Sequence, residues 1–452
     1  MPVRILLISP SHYGPDGTLQ KTTRYWTSGL TLPVLKALTP PPHRVTMVDE
    51  LFHDIDLDFP ADIVGITAMG PQIRRAYELA DQFRARGVKV VLGGTWVTLT
   101  AQASLQHADA VVAGEAEDVW AQVLSDLAAG NSRGIYRAPR RDSLAGLPRV
   151  DYTELPLLKY DAFKSSWFYR MYFHWPVVFS RGCPHPCEYC AVQTYYERSF
   201  RTRPVDEVIE DLRTIKSLGA NRILFLDDNP IGNPKAAKEL FRAMIPLKLK
   251  WASQCTINIA RDAELLDLAA RSGCVSLSIG LESINEDSLD SISKTFNQAP
   301  RFTRDLAAIR AKGIQVIGLL MVGLDGDTLD TFGRSLQFLI DNKVSFLKLF
   351  TPCPYPGTKY YDDMLAADRI AVSDWGRYDY GSALIRPAQM TADQMMDGFK
   401  TVYEGFYSTR SIAKRLFPPA PGNTLETLAY LVANLKVNRY LRANPGAWAT
   451  IS

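Results

Sequence analysis

Ser180-Arg-Gly-Cys-Pro-His-Pro-Cys-Glu-Tyr-Cys190 is the stretch on which the reading of this chain turns. Its three cysteines, Cys183, Cys187 and Cys190, follow the spacing C-x3-C-x2-C and are half of the six cysteines in 452 residues. Three thiolates on one loop make a soft, anionic cup suited to the iron of an iron–sulfur cluster or to zinc. Structural zinc prefers four ligands, commonly from two separated pairs. The sequence has no second cysteine pair, although His174 or His185 can complete a zinc set. A cubane cluster on three thiolates instead keeps one iron open to a small molecule.

The bulk properties bound the rest. The length suggests roughly three domains, or two with an appendage. Hydrophobic content of 46% and charged content of 22% describe an ordinary globular protein. Lys+Arg 51 against Asp+Glu 48 leaves a net charge of +3, too balanced to argue for nucleic acid or strong membrane attraction. The opening Met-Pro-Val-Arg-Ile-Leu-Leu-Ile-Ser breaks at Ser9-Pro10 and reads as a strand, not a signal peptide. No run of about 18 apolar residues predicts a transmembrane helix. Clustered reduced cysteines without an export signal point to the cytoplasm.

With Tyr189 just before the last cysteine, the spacing resembles that of the radical S-adenosylmethionine (SAM) superfamily. The resemblance implies a 4Fe-4S cluster whose open iron chelates the amino and carboxylate groups of SAM. One electron from such a cluster cleaves SAM to a 5′-deoxyadenosyl radical.

Upstream, five buried-strand patterns alternate with helical segments: Arg4–Pro10, Arg44–Glu50, Asp62–Gly70, Val88–Gly94 and Asp109–Glu115. Helices are predicted from Pro71 to Arg86 and from Ala116 to Ala129, stopped by Gly87 and Gly130. Such alternation predicts a doubly wound parallel sheet of flavodoxin-like order, with a ligand over the carboxyl ends of its strands. Those ends carry Ser9, Thr67, Ala68, Gly93, Gly94, Thr95, Gly114 and Glu115. Ordinary turn chemistry accounts for glycine there as well as ligand binding does.

A domain of this kind ahead of the cysteine motif resembles the cobalamin-binding domain of cobalamin-dependent radical SAM enzymes. Gly65-Ile-Thr-Ala-Met, Val91-Leu-Gly-Gly-Thr and Val112-Ala-Gly-Glu-Ala-Glu carry that resemblance. It implies cobalamin contacts at the strand-end residues and at Trp96, which stands with Thr95 where relatives often have Pro-His. Trp96 has a second reading, as filler of the domain interface. The D-x-H-x-x-G signature, whose histidine ligates cobalt from below, is absent. The lower cobalt face is then open or covered by another side chain.

The pattern turns irregular between about Asn131 and Trp175, as expected of a linker. The aromatic run Trp167–Trp175 reads as interdomain packing or as a substrate-pocket wall. From Pro176 strands are predicted at 176–180, Arg222–Asp227, Trp251–Cys255, Val275–Ile279, Val316–Val322 and Phe346–Phe350, with helices at Val205–Leu218, Asp262–Ser272, Phe302–Lys312 and Thr328–Asn342. By resemblance this is a partial (β/α)6 TIM-like barrel, so chemistry belongs at the strand carboxyl ends. The expected division is residues 1–135 for the cobalamin-binding domain, 136–175 for the linker, 176–365 for the radical SAM domain and 366–452 for a helical C-terminal cap.

At those ends the resemblance assigns SAM contacts to Tyr189, Asp227, Asp228, Asn229, Ser253, Glu282, Ser283 and Gly323. Asp227-Asp228-Asn229 stands where the family recognises the SAM amino group, and Glu282-Ser283 where it binds ribose. Met321-Val-Gly-Leu-Asp-Gly-Asp-Thr328 resembles the turn beside adenine, departing from Gly-Leu-Pro-Gly-Glu-Thr at Asp325 and Asp327. Each motif alone is weak, since paired aspartates often cap helices.

No P-loop, dinucleotide glycine motif, hydrolase elbow or H-E-x-x-H occurs. Cys255 and Cys274 read as buried hydrophobes. Cys353, on the loop Thr351-Pro-Cys-Pro-Tyr-Pro-Gly-Thr358, is a catalytic candidate as hydrogen-atom donor, against simple loop packing. Helical stretches at Ala392–Tyr407 and Leu425–Leu441 read as a substrate-covering cap, or as a membrane-surface helix for a lipid substrate.

The expectation is a cobalamin-dependent radical SAM enzyme that methylates an unactivated carbon of an apolar small-molecule or lipid substrate. It would need SAM, cobalamin, a 4Fe-4S cluster and an electron donor such as flavodoxin or ferredoxin. The alternatives are a non-methylating cyclisation or rearrangement of a tetrapyrrole or lipid, and a non-catalytic iron–sulfur corrinoid carrier.

Overall fold

The computed structural model describes residues 2–14, 16–22, 27–159 and 173–444. Residues 167–172 of the aromatic run therefore lie outside the described residues.

Short β-branched runs build the first sheet. Its strands are Arg4–Ser9 (β1), Arg44–Asp49 (β2), Ile63–Thr67 (β3), Lys89–Gly93 (β4), Ala110–Val112 (β5) and Gly134–Tyr136 (β6). The order is β2-β1-β3-β4-β5-β6, with every pair parallel. The first five strands have the expected flavodoxin-like order. The sixth was not expected: Gly134-Ile-Tyr136 is too short to show a period and sits where the sequence turns irregular. The helix Ile73–Ala85 covers one face with Ala76, Leu79, Ala80 and Phe83. The helix Trp120–Ala129 covers the other with Trp120, Val123, Leu124 and Leu127. Both faces are thus dry, which is why the strands read as continuous apolar runs.

The second sheet runs Trp175–Val177 (β7), Arg222–Phe225 (β10), Lys250–Cys255 (β11), Cys274–Glu282 (β12), Gln315–Met321 (β13) and Phe346–Phe350 (β14) in that spatial order. All neighbours are parallel, and their helices wrap the outside. One helix, Pro234–Met244, escaped the sequence reading, although Asn233 caps it by accepting a hydrogen bond from the Ala236 amide. The strand expected at 176–180 is a correction. The chain leaves the barrel sheet after Val177, and Ser180–Gly182 (β8) pairs antiparallel with Phe200–Thr202 (β9). The cause is the Asp227 carboxylate, which accepts the amides of Phe179 and Ser180 and holds them out of the β7 ladder.

The C-terminal helix Thr424–Ala443 does not cover the carboxyl ends of the strands, contrary to the cap expectation. Glu426 is ion-paired with Arg222 at 2.5 Å and Lys250 at 2.9 Å, the first residues of β10 and β11. Tyr430 bonds Ser276, and Asn434 bonds the Ser345 carbonyl just before β14. This helix therefore plugs the amino end of the barrel, where a TIM-like fold invests in stability. Its outer face exposes Leu425, Leu428, Val432 and Leu435.

A candidate cofactor site between the two sheets

The cysteine loop hangs between β8 and β9. Gly182, immediately before Cys183, has φ +85°, a conformation open to glycine, and a side chain there would strike the Ser199 carbonyl. Burial pushes all three thiols up, Cys187 to about 11 and Cys190 to about 12, and repulsion from neighbouring cysteines adds to it at Cys187 and Cys190. Thiols that cannot ionise singly are stabilised as thiolates by a polycationic group, so the donor set fits an iron–sulfur cluster. Among the described residues no three His, Cys, Asp or Glu side chains gather round one metal ion. A cubane takes each thiolate on a different iron and needs a wider ring. His185 is stacked on Phe296, ring centroids 3.9 Å apart.

Of the strand-end residues assigned to SAM, Asn229 and Glu282 reach the loop directly, and several are already engaged. Asp227 is buried and accepts from Ser180 Oγ at 2.5 Å and Phe179 N at 3.1 Å. Burial outweighs those bonds and pushes its carboxyl up to about 7. Asp228, pushed to about 6 by burial, takes the Gly182 amide. The Asn229 amide nitrogen stands 3.8 Å from Cys183 Sγ, and its oxygen faces the Thr256 amide at 3.4 Å. The triplet thus positions the cluster loop. Ser253 donates to the Phe225 and Gln254 carbonyls.

Glu282 holds φ +61° at the end of β12, and its carboxylate meets Lys294 Nζ at 2.5 Å and Tyr189 OH at 3.1 Å. Lys294 was missed by sequence reasoning: a lone lysine twelve residues beyond Glu282 has no periodic signal. Ser283 Oγ faces Asp327 at 3.5 Å, while Asp327 also accepts the Gly323 and Leu324 amides at 2.9 and 3.1 Å. Gly323, at φ +94°, lies against Met395 of the helix Ala392–Phe406, so that helix does reach a carboxyl end of the barrel.

The first sheet ends on a cavity of ≈ 430 Å³. Ser9, Thr67, Gly93, Gly94, Thr95, Gly114 and Glu115 all line it. Gly94 has φ +100°, and a Cβ there would lie 2.7 Å from the Ala68 carbonyl oxygen. Ala68 and Trp96 are corrections: neither lines the cavity. Both are fully buried, Trp96 among Tyr355, Trp375 and Tyr378. Trp96 fills the domain interface because its neighbours are themselves large aromatics from the far end of the chain. Cys353 joins the same apolar cluster with only 8% exposure, and burial pushes its thiol well up. A thiol so packed is a core residue, which corrects its catalytic assignment.

The far wall of the cavity comes from the part of the chain that builds the second sheet and the β8–β9 hairpin, through Val178, Arg181, Tyr195, Tyr196, Arg203 and Leu226. Buried charge ties the walls together. Glu115 accepts from Arg181 at 2.6 Å and Arg201 at 2.7 Å, and Glu117 accepts from Arg181 at 2.6 Å. Burial raises the Glu115 carboxyl, but the Arg201 and Arg181 bonds outweigh it and leave it below its usual range. Glu115 is therefore spent on the hairpin that carries the cysteines, through Arg181 and Arg201, which the sequence reading passed over. Arg181 stood in the decisive stretch itself, two residues before Cys183.

Comparison with known proteins agrees with this two-part site. A Radical SAM superfamily model matches residues 177–339, and a B12 binding domain model matches residues 44–124. Bacteriochlorophyllide d C-12(1)-methyltransferase of Chlorobaculum tepidum is 30% identical over 404 residues, covering 88% of this chain and 85% of that one. Hopanoid C-2 methylase of Rhodopseudomonas palustris is 25% identical, covering 82% and 72%. The structure of TsrM from Kitasatospora setae, a radical SAM methyltransferase with cobalamin and a 4Fe-4S cluster bound, superposes with a TM-score of 0.70 at 15% identity, covering 98% of this chain and 100% of that one.

The chain belongs to the family of cobalamin-dependent radical SAM methyltransferases. It is therefore an enzyme whose cofactors are a 4Fe-4S cluster, SAM and cobalamin, which sets aside both structural zinc and the non-catalytic carrier. Its substrates are small molecules, and no described helix is long and apolar enough to cross a membrane.

Proposed function

We propose that this enzyme methylates an unactivated carbon of a large apolar ring system, a chlorophyllide-type tetrapyrrole before a polycyclic lipid. The observation that carries the reading is the single cavity bordered by the carboxyl ends of the first sheet and by residues flanking the cysteine loop. Its walls include Leu30, Leu32, Leu35, Val150 and Leu226, an apolar lining suited to a macrocycle. The Chlorobaculum tepidum relative, at 30% identity, acts by its name on a bacteriochlorophyllide.

Cys183, Cys187 and Cys190 hold the cluster in this reading, with Asp227, Asp228 and Asn229 fixing their loop. Tyr189, Ser253, Glu282, Ser283 and Gly323 border SAM, joined by Lys294. Ser9, Thr67, Gly93, Gly94, Thr95 and Gly114 border the corrin. When bound, the cluster supplies the electron that cleaves SAM and cobalamin supplies the methyl carrier. The protein's part is to align these groups and exclude water. The electron donor is a flavodoxin or ferredoxin, and the compartment is the cytoplasm.

The test is anaerobic reconstitution with iron, sulfide and cobalamin, then SAM, reductant and a chlorophyllide. 5′-Deoxyadenosine and S-adenosylhomocysteine together, both lost in Cys183→Ala, support methylation. Deoxyadenosine alone, with substrate consumed, indicates a non-methylating reaction. Neither product, with no corrinoid retained, defeats the reading.

A further inference from the structure

The sequence lacks the D-x-H-x-x-G histidine, which leaves the first-sheet side of cobalt either open or covered by another side chain. No histidine or cysteine is among the cavity-lining residues. Most lining donors are occupied. Asp49 Oδ1 accepts the Leu51 amide, and Glu115 and Glu117 are taken by arginines. Asp211 pairs with Arg203 at 2.7 Å, and Tyr195 OH donates to the Gly114 carbonyl. Gln72 accepts the Met69 amide at 3.0 Å and donates to the Pro10 carbonyl at 2.6 Å.

Met69 differs from all of these. It follows β3 at the carboxyl end of the sheet, lines the cavity and is 60% exposed. Its backbone is pinned on both sides, by the Gln72 bridge and by the Ala68 amide bonded to the Gly93 carbonyl. Among the described residues the only other strongly exposed apolar side chain lining the cavity is Leu226, 37% exposed, just past a strand of the second sheet. The two parts of the fold thus each present a strongly exposed apolar side chain to the same space. A thioether is a soft, weak donor, and it excludes water without offering a nitrogen.

We propose that Met69 faces the cobalt of the bound corrinoid on the side of the first sheet, in the place of a histidine. The inference rests on the cobalamin site described above. It leaves cobalt without a nitrogen ligand on that side, and an axial position of this kind tunes the cofactor's electronics.

Electron paramagnetic resonance of cob(II)alamin bound to the full-length reconstituted protein tests it. Wild type is expected to show no nitrogen hyperfine splitting, and Met69→His to show the threefold splitting of one coordinated nitrogen. Leu226→His, on the facing wall, is expected to leave the wild-type spectrum. Nitrogen splitting in wild type, or its absence from a Met69→His protein that retains corrinoid, overturns the proposal, as does splitting in Leu226→His alone. If Met69→His retains no corrinoid, Met69→Ala decides through cob(II)alamin absorption: entry of water shifts the spectrum, and superposition on wild type overturns the inference. Failure of wild type itself to retain corrinoid defeats the cobalamin site and this proposal with it.

Discussion

Removing the Glu115 carboxylate tests whether buried charge locks the two parts of the protein together. Glu115 is 12% exposed in its side chain, Arg181 15% and Arg201 6%, so solvent screens these pairs little. Arg181 keeps Glu117 when Glu115 is lost, but Arg201 keeps the Arg141 carbonyl and the face of the Tyr196 ring, and its Nε and Nη2 have no hydrogen-bond partner among the described residues. Breaking a buried pair by deleting one member costs about 3–5 kcal/mol, because the remaining charge stays buried. We expect Glu115→Ala to fall in that range by urea unfolding, and the Glu115→Gln/Arg201→Gln double variant to recover part of the loss. The pH dependence has a definite sign. The folded Glu115 carboxyl lies below its unfolded value, so its stabilisation is present above the unfolded value and is lost as pH falls through the folded one. The variant should lack that acid-side loss. A Glu115→Ala penalty under about 1 kcal/mol, the range of an exposed pair, would refute the reasoning.

Three further outcomes follow from the site. Gly94→Ala forces a Cβ to 2.7 Å from the Ala68 carbonyl at φ +100°, and should cost about 1–3 kcal/mol with weakened corrinoid retention, read by thermal unfolding and bound-cobalamin absorbance. Asp49, pushed up to about 6 by burial, contributes stability present below its unfolded value and lost as pH rises through about 6. Asp49→Asn should therefore be more stable than wild type at pH 8 by about 2–3 kcal/mol and lose that advantage near pH 4, by denaturant titration at each pH. Lys294→Met strands the buried Glu282 carboxylate and should cost about 3–5 kcal/mol. Adding Glu282→Gln should restore part of it, and unchanged stability in the single variant would remove Lys294 from the site.

The parts of the fold legible in the sequence were those with local causes. Ile5-Leu-Leu-Ile8 and Ile63-Val64 can only be buried strands, and Gly130 at φ +74° stops its helix as expected. The cysteine spacing was equally local. What escaped depends on partners far along the chain. Trp96 reads the same beside a corrin or beside Tyr355, Trp375 and Tyr378, more than 250 residues away. Asp227 looks like a free ligand until Phe179 and Ser180 are placed against it. The last helix read as a cap because its apolar spacing says that it packs, not where. Glu426 supplied the answer only once Arg222 and Lys250 were seen at the opposite end of the barrel.

The hairpin of β8 and β9 has two duties that explain its composition. Between its strands it carries the three cysteines, and on the strands it carries Arg181 and Arg201, the residues that grip Glu115. The thiol loop is therefore referenced directly to the end of β5 in the other sheet, and not only to the barrel that encloses it. Strand-end aspartates fix the same hairpin from the barrel side, through Asp227 and Ser180. A loop held from both sides has little freedom to shift one cofactor site against the other. Differences in substrate among such enzymes must then arise where this lock does not reach. In this chain those places are Leu147, Pro148 and Val150 and the wall formed by Leu30, Leu32 and Leu35, apolar cavity-lining residues that take no part in these ion pairs.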